Sequence, residues 1–210
     1  MFIKIGGVPG VGKTTVISEI VEKSSQLGLP IVKVKGAEYL LDVLGVSTYE
    51  QLRQVPEQER AQARSEMYRR MYEDDRNDPS TIRLRDAHYS LWQDGSGFVN
   101  FPLLEEDKRQ MLSMVCLIAP ETTIYERRKN DGRFDRALEI GIIQKELIKE
   151  LEVAREQANS LGIDLVQVKN ISDISVVCVR VVRETMGSFE FQQELLSELS
   201  GRASSKERSC

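Results

Sequence analysis

Hydrophobic residues fall along this chain in short runs, each followed by a stretch in which apolar positions recur at helical spacing. Phe2, Ile3 and Ile5 form the first run and Val16, Ile17, Ile20 and Val21 supply the period behind it, which predicts a strand over residues 2–6 and a helix over about 13–27. Gly28 and Pro30 break the chain before a second strand at Ile31, Val32 and Val34. From Ala37 to Asp75 the pattern is helical, interrupted at Gly45 and Pro56. Its last part is densely charged, with Ala61, Met67, Tyr68, Met71 and Tyr72 interleaved, so the apolar face is narrow and a lobe over the core is predicted. Asn77-Asp78-Pro79-Ser80 reads as a turn before a third strand, Ile82 and Leu84, that ends in Asp86. A central parallel strand is nearly all apolar, so Arg83 and Arg85 there require either partial solvation or pairing neighbours.

The run Met111 to Ala119, closed by Pro120, has the character of a fully buried strand. A helical pattern from Ala137 to about Ser160 stops at Gly162, and Leu165, Val166 and Val168 give a fifth strand. Ile174, Val177, Val181 and Glu184 follow a helical spacing behind Ser172 or Asp173 as N-cap. A short amphipathic piece (Phe189, Phe191, Leu195, Leu196, Leu199) then leads into Gly201 to Lys206, where order is expected to end. Strands alternating with helices predict an α/β fold with a five-stranded parallel sheet covered on both faces.

At 210 residues, 40% apolar and 30% charged, the chain suits one α/β domain with an appendage. A net charge of −4 argues against nucleic acid as a general partner. Cys116, Cys178 and Cys210 are odd in number, and the first two lie in apolar runs, which implies a reducing compartment. With no apolar run of membrane-spanning length and no signal-like N-terminus, a cytoplasmic location without membrane attachment is expected.

Gly7-Val8-Pro9-Gly10-Val11-Gly12-Lys13-Thr14 fits the phosphate-binding pattern G-x-x-x-x-G-K-[ST], set between a strand and a helix as that motif requires. Its glycines let successive N–H groups and the following helix N-terminus point at an anion. This predicts a nucleoside-triphosphate site at Gly7 to Thr15, with ATP as co-substrate, Lys13 at the β/γ-phosphates and the Thr14 hydroxyl on Mg²⁺. Asp86, at the end of the third strand, is the candidate to hold Mg²⁺ through water. Between Glu126 and Arg136, five cations (Arg127, Arg128, Lys129, Arg133, Arg136) surround Gly132, the composition of a lid over phosphates. His88 is the only histidine, and no hydroxyl-activating pattern such as H-R-D is present. A phosphate acceptor needs no such base.

The opening GGVPGVGKTTVI, Leu52-Arg53-Gln54-Val55-Pro56, Asp86-Ala87-His88, Asn100-Phe101-Pro102 and the run from Arg127-Arg128 to Arg136 together resemble archaeal-type adenylate kinases over about residues 1–185. That resemblance implies a P-loop three-layer fold with sheet order 2-3-1-4-5 and a kinase domain over residues 1–187. Within it, about 37–75 would be a lobe for the nucleoside monophosphate and about 125–137 the lid, with residues 188–210 a partly disordered extension. It further implies transfer of the ATP γ-phosphoryl group to AMP, with Lys13, Arg128, Arg133 and Arg136 catalytic, Gly36, Arg53, Asp86 and His88 at the substrate, and a homotrimer. Gly36 is followed by Ala37 where the family tends to carry a small hydroxyl residue. Two alternatives stand beside this reading. One is a kinase for another nucleoside monophosphate or a small-molecule acceptor. The other is a slow ATPase switch or assembly factor acting on a protein or RNA partner, which the tail and the Tyr-Met-Arg face of residues 64–76 would suit.

Overall fold

The computed structural model describes residues 1–93, 97–131 and 138–206. Its sheet is built from β1 (Phe2–Gly6), β2 (Ile31–Lys35), β3 (Ile82–Asp86), β6 (Met111–Ile118) and β7 (Leu165–Lys169), all parallel, in the order β2-β3-β1-β6-β7. Counted alone, the five parallel strands therefore run 2-3-1-4-5. The labels shift because an unanticipated antiparallel hairpin, β4 (Ser90–Gln93) and β5 (Gly97–Asn100), intervenes. The helices are α1 (Lys13–Gln26), α2 (Gly36–Leu44), α3 (Tyr49–Gln54), α4 (Glu57–Asn77), α5 (Asp107–Gln110), α6 (Glu121–Asp131), α7 (Ile140–Leu161), α8 (Ile174–Thr185) and α9 (Gln192–Lys206).

Strand alternation sorts β1 between two layers. Ile3 and Ile5 enter the main core with Val16, Ile17 and Ile20 of α1 and Val177, Cys178 and Val181 of α8. On the opposite side of the sheet, Met114 and Cys116 of β6 pack with Tyr89 and with Val153, Ala154 and Ala158 of α7. Helices α2 to α4 gather a separate small core of Val34, Leu40, Leu52, Ala63, Met67 and Met71. A capping box starts α3, where the Thr48 hydroxyl accepts from the Gln51 amide and the Gln51 side chain accepts from the Thr48 amide. Asp173 caps α8 by accepting from the Ser175 amide.

One departure concerns the C-terminal segment. Leu195 and Leu199 of α9 are buried in the main core, and Lys23 of α1 pairs with Glu198 at 2.6 Å. The segment after residue 187 thus closes the α1–α8 layer, and its helix runs on to Lys206, past the Gly201 where order was expected to end. Among the described residues no helix is long and apolar enough to cross a membrane.

Arg83 and Arg85 are buried, and of the two possibilities open for them, pairing is the one found. Both converge on Asp75 of α4, Arg85 at 2.6 Å and Arg83 at 3.4 Å, and the Arg85 guanidinium lies 3.5 Å from the Phe2 ring centre. Burial pushes the Asp75 carboxyl up in spite of the opposing pull of Arg85, the chain amino terminus and Arg83. Removing one partner of such a group leaves uncompensated charge in the interior. Asp75→Ala is therefore expected to lower unfolding free energy in urea by about 3–5 kcal/mol. Glu73→Ala, which removes an exposed ion pair with Arg69 on the same helix, should leave it nearly unchanged.

Candidate active site

The loop between β1 and α1 turns through glycines at left-handed φ, with Gly7 at 140°, Gly10 at 83° and Gly12 at 99°. A side chain is also excluded at Gly12 by contact, since a Cβ there would lie 2.4 Å from Asn170 Nδ2. Val8 and Val11 point into the main core, so their part in an anion site is played by their backbone. The first-turn amides of α1 have no intrahelical partners, and with the loop amides they form the kind of site that receives phosphate. Lys13 is buried and its Nζ donates to Gly7 O at 2.6 Å, which holds the ammonium over the loop.

Side chains from distant segments fix this loop. Val11 O accepts from Arg127 Nη1 at 2.9 Å and from Asn170 Nδ2 at 2.7 Å. Pro9 O accepts from Arg128 Nε at 2.9 Å, while Arg128 Nη2 pairs with Glu146 at 2.6 Å. Arg128 is only 1% exposed, and it joins α6, the loop and α7 where it also lines the cleft. Arg133 and Arg136 lie outside the described residues.

The Thr14 hydroxyl donates to Asp86 Oδ2 at 2.7 Å. One hydroxyl and one carboxylate at the mouth of a phosphate loop fit Mg²⁺, a hard ion that keeps waters and phosphate oxygens as its other ligands. Thr14 and Asp86 are thus the residues that would hold it. They lie in a cleft of about 1720 Å³ that continues from the loop to the α2–α4 lobe. Gly36, Arg53 and His88 all line it, so the structure brings the sequence-predicted substrate residues and the loop into one cavity. Arg60 and Arg64 of α4 line it as well, both pairing with Glu57, at 2.9 and 2.7 Å. Tyr49 and Tyr68 of the α2–α4 segment, with Trp92 and Phe101, give the cleft flat apolar surface.

Sequence reasoning missed the polar stripe on α7. Glu150 is buried and its carboxylate accepts from the Gly7 amide at 2.8 Å and from the Tyr89 and Ser90 amides. Burial raises its pKa, against the effect of these N–H bonds and of nearby Lys13. Gln157, two turns further on, donates to Phe101 O at 2.6 Å and accepts from Lys4 Nζ at 2.9 Å. The signal lay in the helical period itself, since Glu146, Glu150 and Gln157 fall at inward positions shared with Ile143, Val153 and Ala154. Lys4 was equally visible as a lone cation inside the first apolar run.

Comparison with known proteins matches the chain to a family and to a fold. The family model for an AAA domain matches residues 6–140. Among solved structures, a shikimate kinase from Aquifex aeolicus vf5 is similar at a TM-score of 0.57 and 17% identity, over 90% of this chain and 98% of that one. A shikimate kinase from Bacteroides thetaiotaomicron gives 0.54 and 15%, over 88% and 97%. At these identities the likeness is one of fold. No curated protein matches the sequence significantly.

Lys4 sits on the floor of this cleft, 4.6 Å from the Tyr89 ring centre, and burial pulls its pKa down to about 8. Asp107 and Glu150 oppose that shift and Arg85 reinforces it. The folded state therefore binds this proton less well than the unfolded chain, so Lys4 lowers stability below pH 8 and the penalty is relieved as pH rises from about 8 toward 10.5. At 1.36 kcal/mol per pKa unit the gain approaches about 3 kcal/mol. Urea denaturation of wild type and Lys4→Met at pH 7 and pH 9.5 should show the gap between the two proteins moving in favour of wild type at the higher pH. An unchanged gap would mean that Lys4 is not desolvated.

Proposed function

The chain belongs to the AAA domain family, and from that premise we propose that it is a phosphotransferase carrying the γ-phosphoryl group of ATP to a nucleoside monophosphate. AMP is the acceptor that its adenylate-kinase-like motifs imply. The observation that carries this reading is the single cleft with a phosphate loop at one end and arginines with aromatic side chains at the other.

Transfer of a phosphoryl group asks a protein mainly for positioning and for charge complementary to the transferring group. The loop amides and the α1 N-terminus would take the β- and γ-phosphates, and Lys13 would place a point charge beside them. When held by Thr14 and Asp86, Mg²⁺ supplies further positive charge to the phosphate oxygens. At the other end Arg53, Arg60 and Arg64 would grip the acceptor phosphate, while Tyr49 and Tyr68 offer faces to a base. A monophosphate is already largely dianionic at neutral pH, so its oxygen attacks without a base. The α2–α4 segment acts in this reading as the acceptor lobe, in a cytoplasmic enzyme whose Cys116 and Cys178 are buried free thiols.

A second reading, transfer to the hydroxyl of a small metabolite, is favoured by the fold shared with two shikimate kinases. An acceptor panel of AMP, CMP, UMP, GMP and shikimate, read as ADP formed from ATP, separates the two. Monophosphate-dependent turnover supports the first, and turnover with shikimate alone supports the second. Hydrolysis that no acceptor stimulates would point to a switch instead.

Lys13→Ala is expected to lower kcat on the order of 100-fold or more. Arg53→Ala should lower kcat/KM for the monophosphate by about 30- to 1000-fold, corresponding to about 2–4 kcal/mol for a charge-assisted contact, with ATP affinity nearly unchanged. Steady-state kinetics with each substrate varied in turn checks both. Equal losses toward ATP and the acceptor would remove Arg53 from the acceptor site.

A further inference from the structure

Glu150 is 1% exposed, and placing a carboxylate there costs several kcal/mol unless it is fully bonded. Both of its oxygens are used. Oε1 accepts from Gly7 N at 2.8 Å and Tyr89 N at 3.0 Å, and Oε2 accepts from Tyr89 N at 3.0 Å and Ser90 N at 2.5 Å. The donors belong to two separate segments that lead into the cleft lining. Gly7 opens the phosphate loop, and its carbonyl is the one that accepts from Lys13. Tyr89 and Ser90 form the root of the β4–β5 hairpin, whose Leu91 and Trp92 line the cleft.

Other contacts make the junction stiff. The Tyr89 ring lies so close over Gly6 that a Cβ there would be 2.0 Å from it, and the Tyr89 hydroxyl donates to Val115 O at 2.9 Å. On the far side of the hairpin, Phe101 N donates to Tyr89 O at 2.9 Å, and Phe101 O is held by Gln157 of the same helix α7. A carboxylate accepts only and presents two oxygens, whereas an amide has one oxygen and would turn its NH₂ toward an N–H. Packing alone would be met by an apolar residue at this position.

We propose that Glu150 is a positioning residue of the transfer reaction, holding the start of the phosphate loop and the root of the hairpin on one carboxylate so that the donor and acceptor walls keep a fixed separation. The proposal rests on the kinase reading for its rate consequence. Misplacement of about 1 Å between reacting groups can cost on the order of 100-fold in rate while leaving each ligand's own contacts largely intact.

The test uses Glu150→Gln in the full chain. Its kcat is expected to fall by roughly 10- to 100-fold, with the affinities for a non-hydrolysable ATP analogue and for AMP, each measured alone by calorimetry, within about threefold of wild type. A second readout needs no turnover. Trp92 is the only tryptophan, so its emission reports on the hairpin. In wild type the ATP analogue alone should change that emission, and in Glu150→Gln the change should be lost although the analogue still binds. Wild-type-like kcat in a folded variant, a Trp92 response that survives the substitution, or no response in wild type would each overturn the proposal. Should wild type bind the analogue yet transfer to no acceptor, the functional reading fails while the Trp92 measurement still decides the role of Glu150.

Discussion

A loop whose glycines sit at left-handed φ has little rigidity of its own, because the same freedom that lets it wrap a phosphate lets it leave that shape. What fixes it here is hydrogen bonding to its backbone from outside: Glu150 on the Gly7 amide, Arg128 on the Pro9 carbonyl, Arg127 and Asn170 on the Val11 carbonyl. Those residues come from α7, from α6 and from the end of β7, so the cradle can form only when the second half of the chain has folded over the first. Much of the architecture follows from that requirement. Helix α7 carries Glu146, Glu150 and Gln157 on one stripe and so places the arginine strut, the phosphate loop and the hairpin relative to a single rigid rod.

What the sequence disclosed and what it hid divide along a physical line. Local signals were legible: a run of apolar residues closed by proline marks β6, the glycine pattern marks the loop, and the strand-ending Asp86 falls within hydrogen-bond reach of Thr14. Roles that depend on burial were not. Arg128 looks in sequence like one cation in a cluster of five, and nothing in composition says that it turns inward to Glu146 while Arg127 reaches the loop carbonyl instead. Glu150 is likewise one of many glutamates on a charged helix, and its function is set by partners that lie 143 and 61 residues away in the chain. The hairpin, by contrast, carried a local signal that was passed over, since Asp94-Gly95 stands between Leu91-Trp92 and Phe98-Val99.

The tail shows how a core can be underestimated from its C-terminal end. Gly201 and the serines after it suggest that structure fades, yet the residues just before them, Leu195 and Leu199, fill space between α1 and α8 that the five-stranded sheet leaves uncovered. An aliphatic side chain fully removed from water contributes about 1.5–3 kcal/mol, so two of them weigh against the local preference for disorder. The ion pair between Lys23 and Glu198 adds direction more than strength, because Glu198 is partly solvated.

The arginine-lined end of the cleft poses a question of charge balance that bears on which anions it can take. A chain with net charge −4 gathers Arg53, Arg60 and Arg64 in one region, and Glu57 pairs with two of them. Its carboxyl is held below the usual range, first through the hydrogen bond from Arg64. An incoming anion must therefore exchange with an ion pair already made, and only the difference between the two partners appears as affinity. A carboxylate ligand would replace like with like and gain little. A phosphate carries about −1.5 to −2 charges near pH 7 and three strong acceptor oxygens, so it can engage more donors of the arginine forks than Glu57 does. On this argument the resident glutamate disfavours singly charged acids more than phosphorylated ligands. Discrimination then comes from competition inside the cleft, without any group placed to repel the wrong ligand.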